Sequence, residues 1–313
     1  MGEKDIAEKI LLDHNDVFSD VLNGLLFDGK PVIEESSLES AEMFSAYKAD
    51  GKLHAQERDV SKLWRSETGF RLALCGVENQ SCVDPDMPLR IISYDGACYR
   101  AQLLEHDHTE RYPVVTVVLY FGKGHWNGPR SLKDRLSIPD DLVPFVNDYH
   151  IQVFEIPYLE DEVVKRFQSD FRIIADYFTQ VRKTGTYRGS EETIEHVHEV
   201  LQLLSVFTGD DRFEKTIAYA SGSGGETNMC KVLDEIENRG IATGMARGMA
   251  RGAELNQLDT VRTLMENSEL GWSVDKIFEV LKIAPEKQVF IREKLSDLRK
   301  SEIPEHIEVR KRS

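Results

Sequence analysis

The chain has no long hydrophobic run. Its longest mostly apolar stretch, Val114 to Phe121, is far short of the about 20 residues a membrane-spanning helix requires. The opening MGEKDIAEKI is charged and has no apolar signal core, and position 6 is not the Ser or Thr of a myristoylation motif. Cysteine is scarce: Cys75, Cys82, Cys98 and Cys230 make no C-x-x-C pair, which argues against a disulfide framework or a cysteine-based zinc module. Basic residues are under-represented, with 39 Lys and Arg against 55 Asp and Glu and a net charge of −16. A surface that coats nucleic acid non-specifically is therefore not expected. These absences predict a cytoplasmic protein with no membrane association.

The charge is uneven. Residues 1–48 hold 4 bases against 11 acids, whereas residues 49–130 hold 10 bases against 11 acids. The middle segment is thus the least acidic, and several of its acids are candidate metal ligands whose charge a divalent ion would offset.

Hydrophobic periodicity organises the chain. Ile10, Val17, Val21 and Leu25 form a stripe at helical spacing and predict a first helix over about Lys4–Leu26. Lys52–Ser61 is either a second helix or already extended, the latter favoured from Arg58. Strands are expected at Val60–Trp64 and Arg71–Val77, joined by Ser66-Glu67-Thr68-Gly69, and the second is apolar on both faces and hence central. Met87–Leu104 reads as a helix, Val114–Phe121 and Ile151–Ile156 as strands. Phe167, Phe171, Ile174, Phe178 and Val181 mark a helix from about Asp161, and Ser190 is the expected N-cap of the next. Ser221–Gly225 is linker-like. The predicted organisation is a domain over residues 1–185, a helical segment and flexible linker over 186–225, and a helical tail over 226–313. In that tail Gly240, Gly244, Gly248 and Gly252 recur every fourth residue. This marks either a weak helix or one that self-associates into a homodimer or higher oligomer. Trp272–Leu295, with Ser273 as N-cap and Lys287, Arg292 and Lys294 on its second helix, reads as a packing hairpin or a helix-turn-helix-like element.

The chemistry concentrates where the two strands meet. If Arg65 pairs with Phe70 across a four-residue loop, Asp59 lies opposite Gly76. Side-chain alternation then puts Asp59, Glu78 and Gln80 on one face, with Asp59 and Glu78 diagonal neighbours roughly 7–8 Å apart. Two carboxylates so placed can grip one cation, and oxygen ligands favour Mg²⁺ or Mn²⁺ over Zn²⁺. Ordinary strand-end acids would show the same pattern. The histidine pairs are weaker signals. His106 and His108 lie in a polar loop, and His196 and His198, two apart on a helix, point away from each other.

Three blocks in order, ERDVSKLW, GVENQ and MPLRIISYDGACYRAQL, resemble the recombination-promoting nuclease (Rpn) family, also described as PD-(D/E)XK nuclease family transposases. The resemblance covers roughly residues 4–180. It implies an α/β, restriction-endonuclease-like core, a mixed central sheet flanked by helices, followed by an all-α extension. It further implies divalent-metal-dependent DNA endonuclease activity tied to recombination or transposition. Asp59 and Glu78 would take the places of the two motif acids, Gln80 that of the usual lysine, and the Asn79 carbonyl that of a further metal ligand. An acid on the first helix would assist, Asp16 with Asp20 or Asp13 as rivals. Arg90, Tyr94, Arg100 and Gln102, with Tyr99 nearby, lie on or near the Met87–Leu104 helix and form either a DNA-facing set or a solvated helix face, the resemblance favouring Arg100 and Gln102 as DNA contacts. Two positions depart from the pattern: Arg58, not proline, precedes Asp59, and Gln80 cannot act as a base near neutral pH. A catalytically weak or inactive DNA-binding variant of the same fold is the alternative reading.

Overall fold

The β-branched run of Val114–Tyr120 forms an inner strand of a five-stranded mixed sheet in the computed structural model of the chain. The structure describes residues 9–41, 44–49, 52–57, 60–66, 71–104, 111–222, 227–267 and 269–301. Helix α1 (Asn15–Leu26) comes first, followed by strands β1 (Leu38–Ser40), β2 (Phe44–Ala49), β3 (Lys52–Glu57), β4 (Val60–Arg65) and β5 (Arg71–Gln80). Helix α2 (Met87–Leu104), strand β6 (Val114–Tyr120), the short helix α3 (Leu132–Arg135) and strand β7 (Gln152–Glu155) complete the sheet region. Helices α4 (Asp161–Val164), α5 (Phe171–Thr184), α6 (Val197–Thr208), α7 (Arg212–Gly222), α8 (Met229–Glu266), α9 (Val274–Val280) and α10 (Pro285–Ser301) follow.

The sheet order is β1-β4-β5-β6-β7, while β2 and β3 form a separate hairpin. β4 runs antiparallel to β1 and β5, and β5, β6 and β7 run parallel. The parallel β5–β6 step needs a crossover, which α2 supplies. The expected α/β core with flanking helices and a helical C-terminal region is what the chain adopts. The expectation of one helix through Leu26 changes at Asp13 and His14, where the helical residues 9–12 stop and α1 restarts. Lys52–Glu57 is strand rather than helix, paired from Phe44↔Glu57 to Ala49↔Lys52.

The two faces of the sheet carry different cores. Val60, Cys75, Val77, Val117 and Leu119 pack against Val17, Phe18, Val21 and Leu22 of α1, and against α5 and α6. Gly24 lets α1 close on Phe167, since a Cβ there would sit 2.4 Å from the Phe167 ring. On the other face, Val118 and Tyr120 pack with Met87, Ile91 and Tyr94 of α2.

The chain divides into two compact units, residues 1–236 and 237–313. Part of the stretch expected as a helical segment and linker contributes core side chains. Val200, Leu201, Leu203, Leu204 and Phe213 join the same cluster as α1 and β5, because the apolar stripe of α6 has to be buried against something. The helix expected from Ser190 begins at Val197, with His196 at its N-cap. In the second unit, Val261 packs with Ile277, Phe278, Ile283, Ile291 and Leu295. Ser273 caps α9 as expected, its hydroxyl accepting from the Lys276 N–H at 3.3 Å. Arg292, a basic residue of the helix-turn-helix-like reading, lies over the Phe278 ring at 5.0 Å and pairs with Asp275. The four spaced glycines fall in α8, with open space where each Cβ would be. Among the described residues no helix is long and apolar enough to cross a membrane.

Candidate active site

Strand β5 brings the central residues to the C-terminal end of the parallel part of the sheet. Its register with β6 sets Glu78 beside Val118 and Gln80 beside Tyr120. Val118 and Tyr120 belong to the core under α2, so alternation aims Glu78 and Gln80 towards α2 and Asn79 towards α1. Glu78 is fully buried, at 0% exposure. Gln80 is half-buried, and its carbonyl accepts the Phe121 N–H at 2.7 Å.

A buried carboxylate needs compensating charge and hydrogen bonds. Arg90, in the first turn of α2, supplies both: Nη2 lies 3.3 Å from Glu78 Oε2 and 3.4 Å from the Tyr94 hydroxyl, and Nη1 lies 3.0 Å from Asp84 Oδ2. Burial works against the guanidinium charge, but hydrogen bonds to Tyr94 and Asp84 and the charges of Tyr94 and Glu78 outweigh it and raise its pKa. Asp84 is itself fixed at the helix entrance, accepting from the Asp86 N–H at 2.9 Å. Deeper on the same face, Asp95 is buried and accepts from Thr116 Oγ1 at 2.7 Å and from the Tyr149 hydroxyl.

The strand register differs from expectation. Gly76 pairs with Ser61, not Asp59, and Val60 pairs with Val77. The ladder closes at Arg65↔Arg71 after an irregularity between Trp64 and Arg65, so the connection is longer than the four-residue loop. The offset is two residues, which preserves the face on which each side chain falls. Asp59 lies outside the described residues, as do His106 and His108.

The first-helix acids separate from Glu78. Asp16 Oδ2 lies 2.9 Å from His196 Nε2, Asp13 accepts from the buried Lys62 ammonium at 3.2 Å, and Asp20 accepts the N–H groups of Gln168 and Ser169. All three sit on α1 or just before it, and α1 packs on the sheet face opposite Glu78. Of the expected DNA contacts, Arg90 and Tyr94 join the site and Arg100 is exposed. Tyr99 is half-exposed, with its hydroxyl bonded to the Val114 N–H. Gln102 is 1% exposed, donates to the Tyr112 carbonyl and accepts the Tyr112 N–H, each at 3.0 Å. Its place on the buried stripe Ile91–Tyr94–Asp95–Cys98–Gln102, at steps of three and four, explains this and was readable from the sequence. The same stripe would have found Asp95. Asp84 carries the signal of a helix-entry acid, three residues before Met87.

Among the described residues, sets of three side chains close enough to share a cation gather around His196. The expected metal pair at Glu78 includes Asp59. Residues 33–209 match the profile of a family described as "Putative transposase, YhgA-like". Neither the curated proteins nor the solved structures supplied a match.

Proposed function

The chain belongs to the YhgA-like transposase family, and from that premise we propose that its first unit is a divalent-metal-dependent DNA endonuclease that hydrolyses phosphodiester bonds during recombination or transposition. The observation that carries this reading is the buried Glu78 at the end of the central strand, bridged to Arg90 and through it to Asp84. A carboxylate held at such cost suits a functional site better than a merely stabilising pair.

Asp59, one residue before the first residue of β4, and Glu78, with the Asn79 carbonyl, would hold Mg²⁺ or Mn²⁺. An all-oxygen donor set fits either ion. When bound, the ion would supply Lewis acidity towards the phosphoryl oxygens and make a coordinated water more acidic. Gln80 would orient water without accepting its proton. Arg90 and exposed Arg100 would bind phosphate, Arg90 through its planar fork of donors, and Tyr94 would position Arg90. Gln102 is left out of this set, since its amide is committed to Tyr112. The glycine-spaced α8 would pair copies of the chain, allowing two sites to act on two strands.

Supercoiled plasmid incubated with the purified chain and Mg²⁺ or Mn²⁺ should be nicked or linearised, and Asp59→Ala and Glu78→Ala should abolish this. Equal cutting by both variants would remove these residues from the site. A second reading, DNA binding without cleavage, is favoured by Gln80 standing where a lysine is usual. It expects salt-sensitive DNA binding with intact plasmid in every metal.

A further inference from the structure

His14 and His196 are each the N-cap residue of a helix, α1 and α6. Separated by most of the first unit in sequence, their rings stack with centroids 3.8 Å apart and planes 25° apart. Around them lie three carboxylates, one on α1 and two at the start of α6. Asp16 Oδ2 is 2.9 Å from His196 Nε2, and Glu199 Oε1 is 3.9 Å from His14 Nε2. One ligand atom each from Asp16, Glu195 and His196 lie within 4.8 Å of one another, as do those of His14, His196 and Glu199. Sequence spacing drew attention to His196 and His198, whereas the partners of His196 come from the first helix.

The geometry points to a second cation site, independent of the nuclease reading, in which His196, Asp16 and Glu195 bind a divalent transition-metal ion of the Zn²⁺ class, with His14 and Glu199 flanking it. One imidazole with two carboxylates suits such an ion better than an all-oxygen set would. The stacked His14 ring does not share the plane of His196, so the primary ligands are the three residues on the Asp16 side. Two helix N-termini bring partial positive charge here, but three carboxylates exceed it.

Two further features fit. The ligand-bearing backbone is preset: Asp170, 4% exposed, accepts the Glu195 N–H at 3.1 Å and the His196 N–H at 2.5 Å. Outer groups of this kind commonly fix ligand orientation in metal sites. A route for the ion also exists, because a cavity of about 500 Å³ opens onto Asp16 and Glu195, with Asp20, Asp170 and Glu192 in its wall and Arg172 as a basic lining residue. An acidic mouth concentrates cations.

Calorimetric titration of the full chain with Zn²⁺ tests this, using a Glu78→Gln background so that the nuclease site is compromised independently. One Zn²⁺ per chain should bind, and excess Mg²⁺ should not displace it. Asp16→Asn and Glu195→Gln should each weaken binding by about tenfold or more, comparable with losses seen on disturbing metal-site shells. Glu195 is exposed, so its variant should fold, and far-ultraviolet circular dichroism checks both. Unchanged affinity in both folded variants, or no Zn²⁺ binding by the parent chain, overturns the site. Undiminished plasmid cleavage in the Glu78→Gln background, with Zn²⁺ binding retained, would overturn the nuclease reading alone.

Discussion

Arg90 Nη2 sits 3.3 Å from Glu78 Oε2, joining the N-terminal turn of α2 to the end of the central strand. Glu78 is buried while the Arg90 side chain is 36% exposed, so the arginine is the solvent-facing half of the pair. Arg90→Gln removes the guanidinium 3.3 Å from a buried carboxylate. Stability should fall by about 1–3 kcal/mol, the typical cost of disturbing a buried charged hydrogen bond, measurable by urea denaturation. Glu78→Gln removes the charge and should tolerate burial better, yet lower metal-dependent plasmid cleavage by about 100-fold or more, the order expected on loss of a direct transition-state contact. Cleavage unaffected by Glu78→Gln would contradict the assignment.

Gln80 gives a gain-of-function test. It lies on the same strand face as Glu78, half-buried at the C-terminal end of the central strand, and an amide there can neither donate a full positive charge nor take up a proton. Gln80→Lys restores a titratable cation beside the attacking position. The cleavage rate should rise by about tenfold or more, towards the lower range for a positioned acid–base group, with a new pH dependence in the rate profile. A slower or unchanged enzyme would show that Gln80 does not occupy the lysine's place.

What could be read in advance divides along physical lines. Met87–Leu104 was legible to the residue, because its apolar and polar buried positions recur at helical spacing. The face shared by Glu78 and Gln80 was legible because alternation needs only the strand, not its partner. The register was not: the irregularity at Trp64/Arg65 depends on backbone packing that local sequence does not encode. Nor was the His14–His196 contact, which forms only because α6 packs back onto α1. Lys62 illustrates the same limit. At 1% exposure it reaches the Asp13 carbonyl at 2.7 Å, a burial for lysine that no strand pattern suggests.

Gln102 gives a test that separates a structural role from DNA contact. Its amide satisfies both the N–H and the carbonyl of Tyr112, just ahead of β6. Gln102→Ala should cost about 1–3 kcal/mol through the two backbone groups left without these bonds, seen as a lower denaturation midpoint. DNA affinity of the folded fraction should stay within about twofold, whereas Arg100→Ala, at an exposed position, should reduce the salt slope of binding by about one contact with little effect on stability. A large loss of DNA affinity in folded Gln102→Ala would return this residue to the interface.

Asp176 gives the pH test. It lies on α5, its pKa raised chiefly by burial and only partly offset by the hydrogen bond from Gln180 Nε2 at 2.7 Å and the charges of Arg172 and Lys183. A raised carboxyl pKa means that the folded state holds the proton more tightly than the unfolded chain. Stability from this group is therefore greatest when both states are protonated. It declines as pH rises from the unfolded value, about 3.9, through the folded one. Asn cannot ionise and so removes that decline. Asp176→Asn should thus become more stable relative to the parent between about pH 4 and about pH 7, by urea denaturation at each pH. A difference that is flat, or that moves the other way, would mean that the Asp176 carboxylate is stabilised on folding.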